Sequence, residues 1–557
     1  MKKLKLVIVG AGPKALNILA KAQALKNNGW DVPEIIVLEK NEIGANWSGN
    51  YGYTDGKGVL GISPLKVFNY PSKSIFGEAV ISDMDKYSFI KYLTHTEGLE
   101  KWVDGGMGWI LHKEFSDYLK WIGGFFPKNI CFGEVVKVNT KNKQWIVTYK
   151  NKNNTKEIVC DGLVFTGPGE ISNPFPIKPD GIRVFDAKNW WKDKKDINFY
   201  GKLALIGGGI SAGSIFESIS KDMLTLDWYS RRGLFTRSEN FANNQRFSVP
   251  DLWQQVPFSV RKSFISATDR GSLDSTTHNY MVASSHSFKE IICEINKVEI
   301  IDKKIKISFK DGLNYKERIY DQIILCTGFD NMGFLNLFAE NIKKELKENI
   351  EEKIEPDLSV LGLIPKLYLP MLSYLNVGIG CATLGSPSIM SDRVLSSLVS
   401  KKSNCEKNKN VKVFKGSLKG DYLIAQKTFS AGEILVNGYA TKISTQRTTT
   451  SVQIGIDLHM EPSFFFVKAN HSCNPNCGIK LNNSGGYSLV AMKEIKKGEE
   501  ITWDYAMSEW ESIALENTNC KCGSSICRGA VGGYKDLSLK IKQKYIGFTA
   551  PYLKYLE

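Results

Sequence analysis

Short apolar runs recur along the first 400 residues, and each gives way to an amphipathic stretch. "LKLVIV", "EIIVLEK", "LVFTGPG", "LALIGGG" and "IILCTGF" are the clearest. Runs of this length, alternating with helical patterns, predict βα units around parallel sheets. Two of them lead straight into glycine loops, at Gly10 and Gly207. That spacing predicts a second unit inserted within the first. Residues 401–411, "KKSNCEKNKNV", are polar and without periodicity, and read as a linker. Short strand-like pieces, turns and a cluster of cysteines follow. The predicted organisation is a first unit over 1–170, an inserted unit over 171–325 and a closing part of the first over 326–400. After the linker come a mainly β domain over 412–510 and a cysteine-bearing tail over 511–557.

A chain of 557 residues is too long for one core and fits about three compact units. Hydrophobic residues make up 42% and charged residues 24%, the balance of a globular chain. No apolar run approaches the roughly 18 residues of a membrane span. The opening "MKKLKLVIVGAG" runs directly into the first glycine loop without a cleavage site, so it reads as a strand and not as a signal peptide. The expected location is the cytoplasm, with no membrane partner. Net charge is +15, yet from residue 405 onward 20 Lys and Arg face 14 Asp and Glu. The excess is spread along the chain, with no basic stripe, and nucleic-acid binding is not expected. Of the 11 cysteines, Cys131, Cys160, Cys293, Cys326, Cys381 and Cys405 are scattered, whereas Cys473, Cys477, Cys520, Cys522 and Cys527 cluster. Clustered cysteines in an intracellular chain point to a metal before disulfides.

The first loop, "VIVGAGPKAL", sets Gly10, Gly12 and Ala15 in a G-x-G-x-x-A pattern between a strand and an apolar helix. Gly10 permits the tight turn, Gly12 lets a pyrophosphate approach the backbone, and Ala15 allows close helix–sheet packing. Glu39 ends the next strand, where a carboxylate can accept ribose hydroxyl bonds. The second loop, "LALIGGGISAGS", repeats the pattern with Gly207, Gly209 and Ala212, and Ser211 opens its helix. Its following strand ends in Arg231 and Arg232 with no acid at the tip. Guanidinium forks suit a 2′-phosphate, which points to NADPH. Two dinucleotide sites on one chain imply electron transfer between cofactors, with FAD at the first. The absence of a C-x-x-C pair over 1–400 argues against a disulfide reductase.

"GAGPKALNILAKAQALKNNGWDVPEIIVLEKNEIGANW", "GYTDGKGVLGISPLK", "LFTRSENFANNQRFS", "SATDRG" and "LPMLS…MSDRVL" resemble the flavin-dependent lysine N6-hydroxylases of siderophore synthesis, within the wider lysine and ornithine N-monooxygenases. The segments recur in order over about 1–400. "DQIILCTGF" matches the family's D-x3-L-x-T-G-Y/F stretch and brings in Thr327 and Gly328. The resemblance implies N-hydroxylation of an amine with NADPH, FAD and O2. The amine must react as its neutral form, and a lysine amine has a pKa of about 10.4, so the pocket must take up its proton. By the same resemblance Lys66 lies near flavin and substrate, Asn244 holds the amino-acid head group, and Asp269 orients an ammonium. "MSDRVL", with Ser391 and Asp392, matches the start of the C-terminal helix that closes on the flavin. Where ornithine enzymes place a glutamine near the flavin, this chain has Leu60–Gly61.

From 412 to 534, "KGDYLIAQKTFSAGEIL", "NHSCNPNC", "KKGEEITWDY" and "CKCGSSICRG" resemble a SET domain with its post-SET zinc tail. Cys520, Cys522 and Cys527 have metal spacing, and a tetrahedral Zn2+ needs a fourth ligand. The resemblance supplies it as Cys473 and leaves Cys477 a spare buried thiol. It also places Gly420, Asn470 and His471 at S-adenosylmethionine and Tyr505 at the methyl-transfer channel. Three positions depart from the pattern. G-x-G reads Gly420-Asp421-Tyr422, the tyrosine expected after "GEIL" is Gly438, and the aromatic position before Tyr505 is Trp503, which narrows the channel. The segment between "GYATKIS" and "NHSC" is short, compatible with a small acceptor. The expectation is an α/β protein with two Rossmann-like units and a β-rich SET domain. It would be a bifunctional enzyme that N6-hydroxylates lysine or a derivative and methylates an amine. A protein substrate for the second half, a non-catalytic docking role for it, and self-association stay open.

Overall fold

The computed structural model describes residues 3–556 apart from positions 71, 153, 168, 194–198, 220–224, 237–249, 269–271, 274–276, 278, 282–287, 403–407, 417–419 and 513–518. The first sheet is parallel throughout. Its strand order is β18 (Lys366–Tyr368), β7 (Gly162–Phe165), β1 (Lys5–Val9), β2 (Glu34–Glu39) and β3 (Ile130–Phe132). The second sheet runs β13 (Phe288–Ile292), β10 (Leu226–Ser230), β9 (Leu203–Ile206), β17 (Gln322–Leu325) and β8 (Val184–Asp186), also parallel. All strands of the second sheet fall between β7 and β18, so the chain leaves the first sheet, builds the second and returns at β18. A two-residue pair, β11 (Phe235–Thr236) with β12 (Ser272–Leu273), lies beside it.

The two sheets repeat one topology. The order β7-β1-β2-β3 corresponds to β17-β9-β10-β13. Each carries an antiparallel meander before its returning strand: β4 (Glu134–Lys141), β5 (Gln144–Asn151) and β6 (Asn154–Cys160) in the first, β14 (Glu294–Ile301), β15 (Lys304–Asp311) and β16 (Asn314–Tyr320) in the second. Side chains alternate faces along a strand, and here both faces are covered, which is why the strands read as continuous apolar runs. Leu6 and Ile8 of β1 face the helix Pro13–Asn27, through Leu16 and Leu19, whereas Val7 faces the meander through Val138 and Trp145. In the second sheet Leu203 and Leu205 meet Ile215 and Phe216 of the helix Ile210–Ser218. Ala204 and Ile206 meet Val298 and Ile307 of its meander.

The last part is mainly β. β19 (Val411–Phe414), β20 (Tyr422–Ala425) and β28 (Glu500–Trp503) pair antiparallel, and β25 (Asn470–His471) adds in parallel to β28. Two further sheets are β21 (Ile434–Asn437), β27 (Tyr487–Ala491) and β26 (Cys477–Leu481), and β22 (Ala440–Ser444), β24 (Leu458–Pro462) and β23 (Val452–Gly455). This part is packed hard against the first. Leu423, Leu489 and Tyr552 share one continuous apolar core with Leu16, Trp30 and Phe76. Lys401 N–H donates to the Thr441 carbonyl at 2.7 Å. A Cβ on Gly77 would stand 2.3 Å from the Asn483 carbonyl oxygen, and one on Gly485 2.5 Å from that of Ile75. Both glycines have positive φ, so backbone meets backbone at this seam. Arg393 reaches Asp457, in the β23–β24 turn, at 2.7 Å, and Gln254 Nε2 donates to the same carboxylate at 3.0 Å.

Candidate active sites

The first glycine loop is shaped by close approach. Gly10 has φ 95°, and a Cβ there would lie 2.8 Å from Thr166 Oγ1. Gly12 caps the helix Pro13–Asn27 with open space around it, and Ala15 is fully buried. Free N–H groups at a helix N-terminus form a ready cradle for phosphate. The Glu39 carboxylate stands at its rim, accepting from Ala11 N–H at 2.7 Å and Asn41 N–H at 2.8 Å. Lys66 closes a short turn, half-buried, its Nζ 5.7 Å from the centre of the Tyr70 ring. Leu60 is buried, and Gly61 faces open space.

The second loop is tighter. Gly207 has φ 131°, and a Cβ there would lie 2.2 Å from the Cys326 carbonyl oxygen. Gly209 caps the helix Ile210–Ser218, with Ser211 in its first turn. Arg231 and Arg232 follow β10 and are both exposed. Thr327 Oγ1 donates to the Ser172 carbonyl, and Gly328, at φ 87°, accepts from Ser172 N–H at 2.9 Å. These two residues therefore tie the segment after β17 to the segment after β7. Asn244 and Asp269 lie outside the described residues.

Asp392 corrects one expectation. Its helix begins at Pro387 and runs to Ser396, so "MSDRVL" lies inside the helix and does not start it. The carboxylate is buried and paired with the buried Lys21 at 2.8 Å. It also accepts from Ser74 Oγ at 3.0 Å and Ile75 N–H at 3.0 Å, and Lys21 donates to Ser388 Oγ. The network staples three segments beside the seam described above.

In the last part, the Sγ atoms of Cys473, Cys520, Cys522 and Cys527 all lie within 4.8 Å of one another, and no other such group occurs among the described residues. Four thiolates are a tetrahedral zinc donor set. Cys477 lies in the core, where burial pushes its thiol up to about 12. His471 points Nε2 at Cys473 Sγ, 3.4 Å away, and accepts from Tyr505 N–H at Nδ1. Burial lowers its imidazole, against the pull of Asp504. Asn470 donates to Glu500 at 3.3 Å. Gly420 is exposed at φ 75°. The missing tyrosine at Gly438 has a steric cause, since a Cβ there would stand 2.5 Å from the Tyr487 carbonyl oxygen and 2.8 Å from Phe466.

Sequence reasoning passed over the residue that organises this site. Asp504 is fully buried and takes Arg528 bidentately, at 2.6 and 2.9 Å, together with Tyr545 Oη at 2.9 Å. Arg528 immediately follows Cys527, and its N–H donates to Cys473 Sγ at 3.4 Å. The tail is thus clamped to the strand end that carries Tyr505. An Arg next to the last cysteine and an Asp next to the tyrosine were the available signals. Phe466, Trp503 and Tyr505 line a cavity of about 160 Å³. The Trp503 indole donates to the Ala469 carbonyl at 3.2 Å, and burial pushes the Tyr505 phenol up to about 12, so it stays a hydrogen-bond donor at neutral pH.

Comparison with known proteins agrees with both halves. A family model described as L-lysine 6-monooxygenase/L-ornithine 5-monooxygenase matches residues 81–331, and one for the SET domain matches 285–506. The SET match thus begins well before Val411, where the strands bearing the SET motifs start. The chain is 30% identical over 414 residues to the L-lysine N6-monooxygenase MbtG of Mycobacterium tuberculosis, covering 70% of this chain and 94% of that protein. The solved lysine monooxygenase NbtG of Nocardia farcinica, whose structure is noted for its NADPH domain conformation, superposes with a TM-score of 0.62 at 26% identity. That match covers 70% of this chain and 98% of NbtG. The methyltransferase flvH of Aspergillus flavus is 30% identical over 111 residues, covering 20% of this chain and 60% of its own length. Among the described residues no helix is long and apolar enough to cross a membrane. The chain belongs to the L-lysine 6-monooxygenase/L-ornithine 5-monooxygenase family and carries a SET domain in its C-terminal part.

Proposed function

We propose that the protein is a bifunctional enzyme of amine metabolism. Its monooxygenase half converts lysine, NADPH, O2 and a proton to N6-hydroxylysine, NADP+ and water. Its SET half transfers a methyl group from S-adenosylmethionine to an amine nitrogen, releasing S-adenosylhomocysteine and a proton. The observation that carries the reading is the coexistence, in one packed molecule, of two glycine cradles with opposite strand tips and a four-cysteine cluster beside an aromatic cavity.

FAD fits the first loop, where Gly12 leaves room for a pyrophosphate and the Glu39 carboxylate stands ready to accept from ribose hydroxyls. NADPH fits the second, where Arg231 and Arg232 suit a 2′-phosphate. Reduced flavin supplies the activation of O2. Lys66 is assigned to the flavin and substrate, with Asn244 and Asp269 as head-group and ammonium contacts. Cys473, Cys520, Cys522 and Cys527 would hold a zinc ion that ties the tail to β25, and Asp504 locks the tail through Arg528. Asn470, His471 and Gly420 are assigned to the methyl donor. Tyr505 and Trp503 narrow and desolvate the acceptor channel, which favours the neutral amine that methyl transfer needs. A siderophore-like product suits a hydroxylated lysine.

Incubating the full chain with lysine, NADPH, O2 and S-adenosylmethionine should give products heavier than lysine by one oxygen and by one CH2, read by mass spectrometry. NADPH oxidation across lysine, ornithine and cadaverine should rank lysine first. Labelled methyl appearing only in protein bands, with no methylated small amine, would replace the second half of the reading.

A further inference from the structure

The aromatic cavity of the SET half contains a pair of charges that the methyl-transfer reading leaves without a task. Its charged lining among the described residues is Arg447 and Glu509 alone. They pair at 3.2 Å with side chains only 18% and 14% exposed. Each is held from behind. Glu509 Oε1 accepts from Gln453 N–H at 2.8 Å, and Arg447 donates to the Glu511 carbonyl at 2.8 Å and to Gln453 Oε1 at 3.3 Å. Glu509 N–H donates to the Tyr505 carbonyl at 3.0 Å, which puts the two side chains one helical turn apart. Tyr505, Arg447 and Glu509 line this one cavity of about 160 Å³, so a single small ligand there meets all three.

We propose that Arg447 and Glu509 read the α-carboxylate and α-ammonium of a free amino acid whose distal amine lies at Tyr505. This rests on the reading of the cavity as the methyl-acceptor site and names its substrate class. An internal ion pair is the mirror of a zwitterion. The guanidinium can attract and donate to a carboxylate, and the glutamate can take an ammonium. Burial raises the Glu509 carboxyl above its ordinary value, so a cation delivered to it is welcome. A lysine within a polypeptide carries neither charge at its α-carbon, and covering the pair with neutral amides would leave both groups poorly matched.

The test is calorimetric, on the full chain saturated with S-adenosylhomocysteine. L-Lysine should bind at two sites per chain, one in each half. Arg447→Gln and Glu509→Gln should each weaken one of them at least tenfold and leave the other alone, with Arg447→Lys recovering part of the loss. Cadaverine lacks the carboxylate and should be indifferent to Arg447→Gln. Nα-Acetyl-lysine lacks the ammonium and should be indifferent to Glu509→Gln. Lysine-dependent NADPH oxidation and S-adenosylhomocysteine binding should both be unchanged in every variant, which verifies folding of the two halves. A single lysine site untouched by either variant overturns the proposal, as does a second site that binds cadaverine and Nα-acetyl-lysine as tightly as lysine. Methylation of small amines without this discrimination would sink the head-group reader and spare the methyltransferase reading. Discriminating binding without methylation would do the reverse.

Discussion

Gly10 and Gly207 make their cradles from backbone. Each sits at positive φ, and each is packed so that a Cβ would collide, with Thr166 in one loop and with Cys326 in the other. The SET half builds its site differently. There the cysteine cluster, the Asp504–Arg528 clamp and the Arg447–Glu509 pair are side-chain constructions gathered from positions far apart in sequence. A backbone cradle carries its signature in a short local stretch of sequence. A side-chain constellation needs the whole domain folded, and here also a tail returning across it. The two halves should therefore fail differently when one component is removed.

The largest expected effect is in the SET half. Structural zinc contributes about 10–16 kcal/mol of apparent binding energy in small domains. Cys473→Ser, or a strong chelator, should release the tail, abolish methyl transfer and leave lysine-dependent NADPH oxidation in place. Hydrogen exchange over 520–555 checks it, and a tail still protected after metal loss would show that the Asp504 clamp suffices alone. Breaking the other half takes a glycine. Gly10→Val should purify without flavin absorbance. Gly207→Val should keep flavin and lose at least a hundredfold in NADPH-driven reduction, measured by stopped flow. If both variants lost flavin alike, the division of labour between the loops would be wrong.

A second pair of variants compares buried charges. Asp392 and Asp504 are buried carboxylates, one in each half, the first paired with Lys21 and the second with Arg528. Removing one partner of a buried pair costs about 3–5 kcal/mol, because the remaining charge stays desolvated. Lys21→Met should destabilise the shared core, and with it both halves in one transition, in a urea titration. Arg528→Met should lower that same transition while leaving lysine-dependent NADPH oxidation of the folded chain unchanged. Separate transitions in the Lys21→Met variant would mean that the seam at Gly77 and Gly485 does not couple the halves.

Much of this was legible in the sequence, and the limits have physical causes. The parallel sheets were visible because strands covered on both faces are continuous apolar runs, as in β1 and β9. The glycine fingerprints were visible because the cradle is local. The insertion could be read from two loops, but the matching meanders β4–β6 and β14–β16 could not, since a meander has no fixed motif. The spacing of Cys520, Cys522 and Cys527 announced a cluster of thiols, which Cys473 completes. Asp504 and Arg528 did not announce each other, being paired only by folding. Gly438 looked like a lost functional tyrosine, and the structure gives it a steric reason in Tyr487 and Phe466. Asp392 looked like a flavin contact by position, and its partners are Lys21, Ser74 and Ile75.

The smallest expected effect is the most specific to the contrast between the two cradles. Glu39 at the tip of β2 is held by two backbone N–H groups, while Arg231 and Arg232 at the tip of β10 are exposed. Exposed guanidinium groups act on a 2′-phosphate through screened contacts, so each should contribute about 1 kcal/mol. Replacing both with Ala should raise the KM for NADPH about tenfold or more, since 1.4 kcal/mol is a factor of ten. The KM for NADH, which has no 2′-phosphate, should stay where it was, and added salt should erase part of the wild-type preference. Flavin content should not change, because the first cradle reads its ligand without them. Equal losses toward NADPH and NADH would assign the arginines to the fold of the β10 tip and remove the charge argument for the second cofactor.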